Sequence, residues 1–287
     1  MSHRQNTLQK SALYVVATPI GNLRDISLRA LEVLSGVDVV AAEDTRTSGH
    51  LLAHHGIHTK LLAVHQHNER GAATKIIGLL AEGKSVALVT DAGTPGISDP
   101  GAVVVQGVRE QGYKVIPIPG ANAAICALSA AGVAAPHFLF YGFLPAKSAA
   151  RQRELTSLKT LAATLVFYEA PHRIIECVTD LHAVLGSERQ ITVARELTKL
   201  FEAIYTCPLG DALAWLQADA NRQKGEFVLL LSGAETPPSN AISDPAQHAL
   251  KSLLAELPLK QAVKLAAEIS GENKNALYDL ALSLKKQ

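Results

Sequence analysis

The strand ends of this chain lack both glycine-rich devices by which α/β proteins usually hold nucleotide phosphates. No G-x-G-x-x-G follows the first apolar run, where Thr18-Pro19-Ile20-Gly21 stands instead, and no strand end carries a phosphate-loop lysine. A phosphate-centred nucleotide site is thereby disfavoured. Charge of one sign is missing too. Lys and Arg total 27 against 26 Asp and Glu, a net charge of +1, which argues against a binder that holds nucleic acid by bulk positive charge. The three cysteines, Cys126, Cys177 and Cys207, are far apart and odd in number. They form no disulfide framework or metal-ligand spacing and point to a reducing compartment. Met1 to Lys10 is polar and has no apolar core of the signal-peptide kind. No apolar run is long enough to span a bilayer. A soluble, cytoplasmic protein with no membrane partner is expected.

What is present is an alternation of short apolar runs and helical patterns. Ala12 to Ala17, Val37 to Ala42, Leu61 to Val64, Ser85 to Thr90 and Tyr113 to Ile118 read as strands. Leu28 to Leu34, Thr74 to Ala81, Ala102 to Gln111 and Ala123 to Ala131 read as helices. This order predicts a mainly parallel sheet with covering helices over 1–122. Strands at 138–143, 164–168, 190–194 and 226–231, with helices at 151–161 and 174–185, predict a second α/β domain over 123–235. Thr236-Pro237-Pro238-Ser239-Asn240 reads as a linker. The segment from Asp244 is helical, and a Gly-containing turn at Ser270-Gly271 gives it a helix-turn-helix character.

The longest loop is Asp91-Ala92-Gly93-Thr94-Pro95-Gly96-Ile97-Ser98-Asp99-Pro100-Gly101, directly after an apolar strand. It contains two carboxylates and no Lys or Arg. Carboxylates accept hydrogen bonds from hydroxyl or amino groups and repel phosphate. In a parallel sheet this loop shares one edge with Thr18 to Asn22, Glu43 to Arg46, His67 to Glu69 and Pro119 to Asn122, so that together they would form one cleft. Asp44 or Thr45 could cap a helix, Glu43 or Asp44 could act as a base, and Arg46 could meet a phosphate or remain solvated. His65 and His67 lack a converging third ligand, so no metal is expected. Glu169 could orient a ligand or cap a helix. Arg173 and the mixed-charge run Ala194 to Lys199 are phosphate contacts or solvated charges. From Lys251 onward six Lys face four acids. That excess is small enough to leave the tail open between a packing module and a nucleic-acid-binding one.

Taken together, Leu13 to Leu23, Glu43 to Arg46, Asp91 to Gly101, Pro119 to Ala123 and Phe167 to Arg173 resemble the bacterial ribosomal RNA small subunit methyltransferase I family. Its members are tetrapyrrole-methylase-like, class III S-adenosylmethionine-dependent methyltransferases. The resemblance runs along nearly the whole chain. It implies two α/β domains with the cofactor in the cleft between them, a homodimer, and 2′-O-methylation of a cytidine in 16S ribosomal RNA of the small subunit. By analogy Pro19, Gly21, Asp91, Ala92, Gly93, Thr94, Pro119, Gly120, Ala121, Asn122, Tyr168 and Glu169 would hold S-adenosylmethionine. Glu43, Asp44 and His67 are the base candidates. Arg46, Arg173, Arg195, Lys260, Lys264 and Lys274 are the candidate RNA contacts. Two other readings stand beside it: a methyltransferase acting on a tetrapyrrole, and a helix-turn-helix regulator whose α/β part senses a ligand.

Overall fold

The computed structural model describes residues 8–65, 68–133, 136–234 and 242–284. His67, the linker 236–240, Lys285 and Lys286 lie outside the described residues. The chain divides into two compact units, Met1–Ala234 and Glu235–Gln287.

The first unit begins with β1 (Ala12–Val16), α1 (Leu28–Gly36), β2 (Val39–Ala42), α2 (Thr45–His54), β3 (Lys60–Ala63), α3 (Glu69–Ala81), β4 (Val86–Val89), α4 (Ala102–Glu110) and β5 (Lys114–Ile118). The five strands form one sheet in the order β3-β2-β4-β1-β5, parallel throughout. Alternate residues explain why the central strands read as unbroken apolar runs. Tyr14, Val16, Val40, Ala42, Ala87 and Val89 pack under Ala30, Val33 and Leu34 of α1 and Leu52 of α2. Leu13, Val39, Ala41, Val86 and Leu88 pack under Ala72, Ala73, Ile76 and Leu80 of α3 and Val104 and Val108 of α4. A parallel sheet covered on both faces must be apolar at both parities.

After α5 (Ala123–Ala130) come β6 (Phe138–Phe143), α6 (Ser148–Leu158), β7 (Thr164–Glu169), α7 (Ile174–Leu185), β8 (Gln190–Arg195), β9 (Ala203–Pro208), α8 (Leu209–Gln217) and β10 (Phe227–Leu231). They build a second sheet, β6-β7-β10-β8-β9, in which only β6 and β7 run parallel. Helices α6, α7 and α8 cover one face. Ala124 and Ala127 of α5 cover the other, together with Ile20 from the loop after β1. Arg151 of α6 is wholly buried and donates from Nε to Asp180 of α7 at 2.7 Å.

Helix α2 starts where the sequence allows a cap at Asp44, while one helix boundary and one strand in this unit depart from expectation. Thr45-Arg46-Thr47-Ser48-Gly49-His50 is poor in helix formers, yet α2 starts there because Asp44 caps it and Leu51 and Leu52 are buried. Helix α3 starts at Glu69, five residues before the expected Thr74, with Ala72 and Ala73 on its buried side. Strand β9 carries polar Thr206 and ends at Pro208. It is an edge strand, where a missing N–H is tolerated.

The second unit holds α9 (Asp244–Glu256), α10 (Leu259–Ser270) and α11 (Lys274–Leu284) around Ala246, Leu250, Val263, Ala266, Leu277 and Ala281. Gly271 ends α10 in the left-handed conformation (φ 71°). A glycine adopts that φ without steric penalty.

Candidate functional site

The parallel order of the first sheet places the ends of all five strands at one edge, and the loop after β4 is built into that edge. Its residue Gly93 exchanges two backbone hydrogen bonds with Thr18, at 2.8 and 3.1 Å, and Thr94 Oγ1 donates to the Ala121 carbonyl at 3.1 Å. Three strand-end loops are thus stitched together. The far end of the same loop reaches the second sheet. A Cβ on Gly142, at the bulge of β6, would stand 2.8 Å from Ser98 Oγ, so only glycine admits that approach.

Between the sheets lies a cleft of about 330 Å³. Its walls come from Ala92 to Thr94 and Ile97 to Asp99, from Asn122 and Ala123 at the start of α5, and from Phe143, Tyr168 to Pro171, Leu197 and Glu226 to Val228. Every charged residue in that wall is an acid: Asp99, Glu169 and Glu226. Tyr168 is fixed by edge contacts to Phe140 and Phe143 and by the Ala124 N–H, which donates to its hydroxyl at 3.2 Å. Glu169 is buried. It accepts from the Ala170 N–H at 2.8 Å and is paired with Arg173, whose Nε lies 3.1 Å away.

Next to the cleft, and sharing Ile20, Ala92 and Glu226 with it, is a second pocket of about 380 Å³. Pro19, Gly21, Thr47, Ser48, His50, Thr90, Asp91 and Lys199 border it. A Cβ on Gly21 would sit 2.5 Å from Lys199 Cγ, so the loop after β1 touches the β8–β9 loop there. Lys199 pairs with Glu196 at 2.9 Å and Glu226 at 2.7 Å.

The two pockets divide the residues expected to hold the cofactor. Ala92, Gly93, Thr94, Asn122, Tyr168 and Glu169 border the cleft, whereas Pro19, Gly21 and Asp91 border the neighbouring pocket. Pro119, Gly120 and Ala121 border neither. A Cβ on Gly120 would meet that of Ala17 at 2.9 Å, and the Ala121 carbonyl receives Thr94, so this turn holds the loops together from beneath.

Carboxylates crowd the edge. Burial raises the Glu43 carboxyl above its ordinary range, and the Asp91 and Asp44 charges add to the rise. Asp91 is raised by burial and by Asp44, although its Oδ1 accepts the Asp44 N–H at 3.1 Å. Asp99 moves furthest, up to about 6, through burial first and then the charges of Glu43 and Asp91. Asp44 moves the other way, to about 2, because its carboxylate accepts from the Arg46 side chain and backbone. Arg46 itself is exposed, with Nη2 only 2.6 Å from Asp44. Asp44 is therefore a helix cap and ion-pair partner, and a poor proton acceptor. Asp99 is the basic carboxylate that the sequence reading passed over. Its signal was its place in the loop, but its burial and its two acidic neighbours arise only on folding.

The candidate RNA contacts separate as well. Arg173 donates to the Leu144 and Pro145 carbonyls and to Glu169, and Arg195 donates to the Lys224 and Phe201 carbonyls. Both guanidiniums tie loops of the second sheet, in place of the free surface cations expected of them. Lys260, Lys264 and Lys274 are exposed on the second unit. One string, Gly78-Leu79-Leu80-Ala81-Glu82-Gly83-Lys84-Ser85, does fit the letters of a phosphate loop. It leads out of α3 into β4, the reverse of the strand-to-helix order that cradles phosphate, and Lys84 pairs with Glu82. Among the described residues no three His, Cys, Asp or Glu converge as a metal site requires, and no helix is long and apolar enough to cross a membrane.

Comparison with known proteins places this geometry. Residues 12–213 match the family model of tetrapyrrole (corrin/porphyrin) methylases, and residues 240–285 match the RsmI C-terminal HTH domain. The chain is 50% identical over 280 residues to ribosomal RNA small subunit methyltransferase I of Escherichia coli O157:H7, covering 98% of each chain. It is 49% identical to the protein of that name from Neisseria meningitidis serogroup A, covering 99% of each. Among solved structures, cobalt precorrin-4 methyltransferase is similar with a TM-score of 0.57 at 18% identity, covering 78% of this chain and 95% of that one. Diphthine synthase is similar with a TM-score of 0.60 at 16% identity, covering 77% and 90%. These last two likenesses concern the fold of the two-sheet unit.

Proposed function

The chain belongs to the ribosomal RNA small subunit methyltransferase I family, and from that premise we propose that it transfers a methyl group from S-adenosylmethionine to the 2′-oxygen of a cytidine in 16S ribosomal RNA of the small subunit. The observation that carries the cofactor assignment is the acid-only cleft. Glu169 and Glu226 are already paired with Arg173 and Lys199, so the charge a cationic, phosphate-free ligand meets there is that of Asp99, and the phosphates of a dinucleotide or nucleoside triphosphate find no cation among the residues of that wall. The cofactor supplies an electrophilic methyl group on a cationic sulfur, an already activated donor.

Backbone groups at Ala92 to Thr94 and the start of α5 at Asn122 would bind its polar parts. Tyr168, Phe143 and Leu197 would exclude water from beside it. What remains for the protein is alignment and proton removal. A ribose hydroxyl is a weak acid, and a positioned base is worth roughly 10²–10⁴-fold. Asp99 has the matching character. Displaced to about 6, it is ionised at neutral pH and more basic than an ordinary aspartate. We assign it the 2′-hydroxyl proton as the oxygen receives the methyl group. The exposed Lys260 and Lys264, one turn apart on α10, and Lys274 on α11 are the phosphate contacts we propose from the second unit.

The test is incubation with methyl-labelled S-adenosylmethionine and small ribosomal subunits, followed by mapping of the modified nucleotide. Label on the ribose of one cytidine is the expected result. Label on a base, or on no RNA, refutes the reading.

A further inference from the structure

The pocket beside the cofactor cleft has no part in the reaction as described so far, and its wall contains an anomaly. Ser48 and Thr90 are 3% and 2% exposed, and their hydroxyl oxygens have no hydrogen-bond partner among the described residues. Buried hydroxyls are ordinarily paired. A helical Ser or Thr usually returns its hydroxyl to the carbonyl four residues back. Thr74, Thr156, Thr179 and Ser270 of this same chain do so. Ser48 sits within α2 with the same option and does not take it. Thr90 stands at the end of β4, where its carbonyl accepts from Thr18 Oγ1 at 3.0 Å while its own hydroxyl stays unpaired. Ser48 and Thr90 both border this pocket, and neither hydroxyl has a partner among the described residues.

The third polar member is Asp91. Its Oδ1 takes the Asp44 N–H, and an ionised carboxylate keeps further acceptor capacity for an amino group. The rest of the wall includes the apolar faces of Pro19, Ile20 and Leu51. A flat heterocycle with an exocyclic amine and ring acceptors matches this set. Asp91 would accept from the amine, as acidic side chains do from the cytosine 4-amino group, and the two hydroxyls would donate to the ring acceptors. The shared wall of Ile20, Ala92 and Glu226 sets such a ring next to the cofactor cleft, where the base of the target nucleotide must lie if its ribose is to be methylated.

We propose that this pocket receives the extruded base of the acceptor nucleotide, and that Ser48, Thr90 and Asp91 are its specificity-determining residues, selecting cytosine over uracil. The assignment deepens the proposed function and rests on it. Removing a hydroxyl that has no protein partner costs no folding stability, whereas removing one that serves a ligand costs affinity. That separates a binding role from a structural one.

The experiment uses the full-length protein saturated with S-adenosylmethionine and titrates cytidine 5′-monophosphate and uridine 5′-monophosphate by saturation-transfer NMR. The wild type is expected to bind the cytidine nucleotide more tightly. Ser48→Ala and Thr90→Val should each weaken it by roughly tenfold, with unchanged melting temperature and unchanged S-adenosylmethionine affinity by calorimetry. Asp91→Asn, whose amide can donate to the uracil 4-oxygen, should reduce or invert the preference. The proposal is overturned if the wild type binds neither nucleotide, if the variants lose cofactor affinity in parallel, or if they melt earlier with nucleotide binding intact. Methylation of small subunits by the same proteins separates the two claims. Nucleotide binding without any subunit methylation refutes the function and leaves the pocket standing. Methylation by the wild type with turnover and cytosine preference unaltered in all three variants refutes the pocket alone.

Discussion

Replacing Asp99 with asparagine should make the protein more stable and nearly inactive at once. The Asp99 carboxyl is held up at about 6, against 3.8 for an ordinary aspartate, by burial and then by the charges of Glu43 and Asp91. Between those two values the native protein keeps a proton that the unfolded chain has released. Stability from this group is therefore full below about pH 4 and is lost as pH rises through about 6. A displacement of one pH unit is worth about 1.4 kcal/mol, which sets an upper bound of about 3 kcal/mol. Asp99 is only half-buried, and solvent screening reduces the figure to on the order of 1 kcal/mol. Asp99→Asn carries no charge to desolvate, so urea denaturation should show it about 1 kcal/mol more stable than wild type at pH 8 and equal to it at pH 4. Single-turnover methyl transfer to small subunits should rise through about pH 6 in the wild type and level off. In the variant it should fall by roughly 10²-fold or more and lose that pH dependence. Full activity in Asp99→Asn, or a loss of stability at pH 8, would refute the reasoning.

Three further outcomes follow from other parts of the molecule. Arg151→Ala removes the cation paired with the buried Asp180 carboxylate, leaving it the Ser148 and Gln152 donors, and should cost about 3 kcal/mol by chemical denaturation; a loss below about 1 kcal/mol would mean that the pair is solvated. Asp38 is lowered to about 2 by the Ser85 N–H, then by Lys10 and the Ser85 hydroxyl, so its stability is present above about pH 4 and lost as pH falls through about 2. Asp38→Asn should thus be less stable by ~1 kcal/mol at pH 7, after solvent screening, and unchanged at pH 2 in urea titrations. Leu200 and Phe201 in the β8–β9 loop are 89% and 67% exposed, and we propose them as a self-association face for the homodimer that the resemblance implies. Replacing both with Asp should leave a folded monomer by light scattering, and an unchanged mass removes that face from the interface.

The layout of the first sheet was readable because its central strands are short runs apolar at both parities and each strand ends in polar or turn-forming residues. The cleft followed, since parallel strands deliver those ends to one edge. The start of α2 was legible in the cap at Asp44, but its extent was not, because Thr47, Ser48, Gly49 and His50 carry little helical propensity and the buried Leu51 and Leu52 supply what the local sequence does not. Strand β9 was hidden by Thr206 and Pro208, which are acceptable only because the strand lies at an edge. The site itself was half legible. Glycines, prolines and acids marked the loop 91–101, but which acid does what depends on neighbours far away in sequence. Asp44 and Asp99 look alike on paper. One meets Arg46 two residues on and stays a strong acid. The other is buried and meets Glu43, 56 positions earlier in the numbering, and its proton affinity rises.

The loop after β4 thus serves two pockets from one segment, and the clip at Gly93 is what permits it. The paired Thr18 and Gly93 backbones pin the loop in its middle. On the near side of the pin, Asp91 stays with α2 and borders the pocket of unpaired hydroxyls. On the far side, the chain turns through Thr94 toward Ser98 and Gly142 and carries Asp99 into the acid-walled cleft. The two carboxylates remain close enough for the Asp91 charge to raise the proton affinity of Asp99, the proposed base. Replacing Asp91 with a neutral residue would remove one of the two charges that raise that affinity. A neutral substitution at Asp91 should therefore move the pH profile of a reaction whose proton is proposed to go to Asp99.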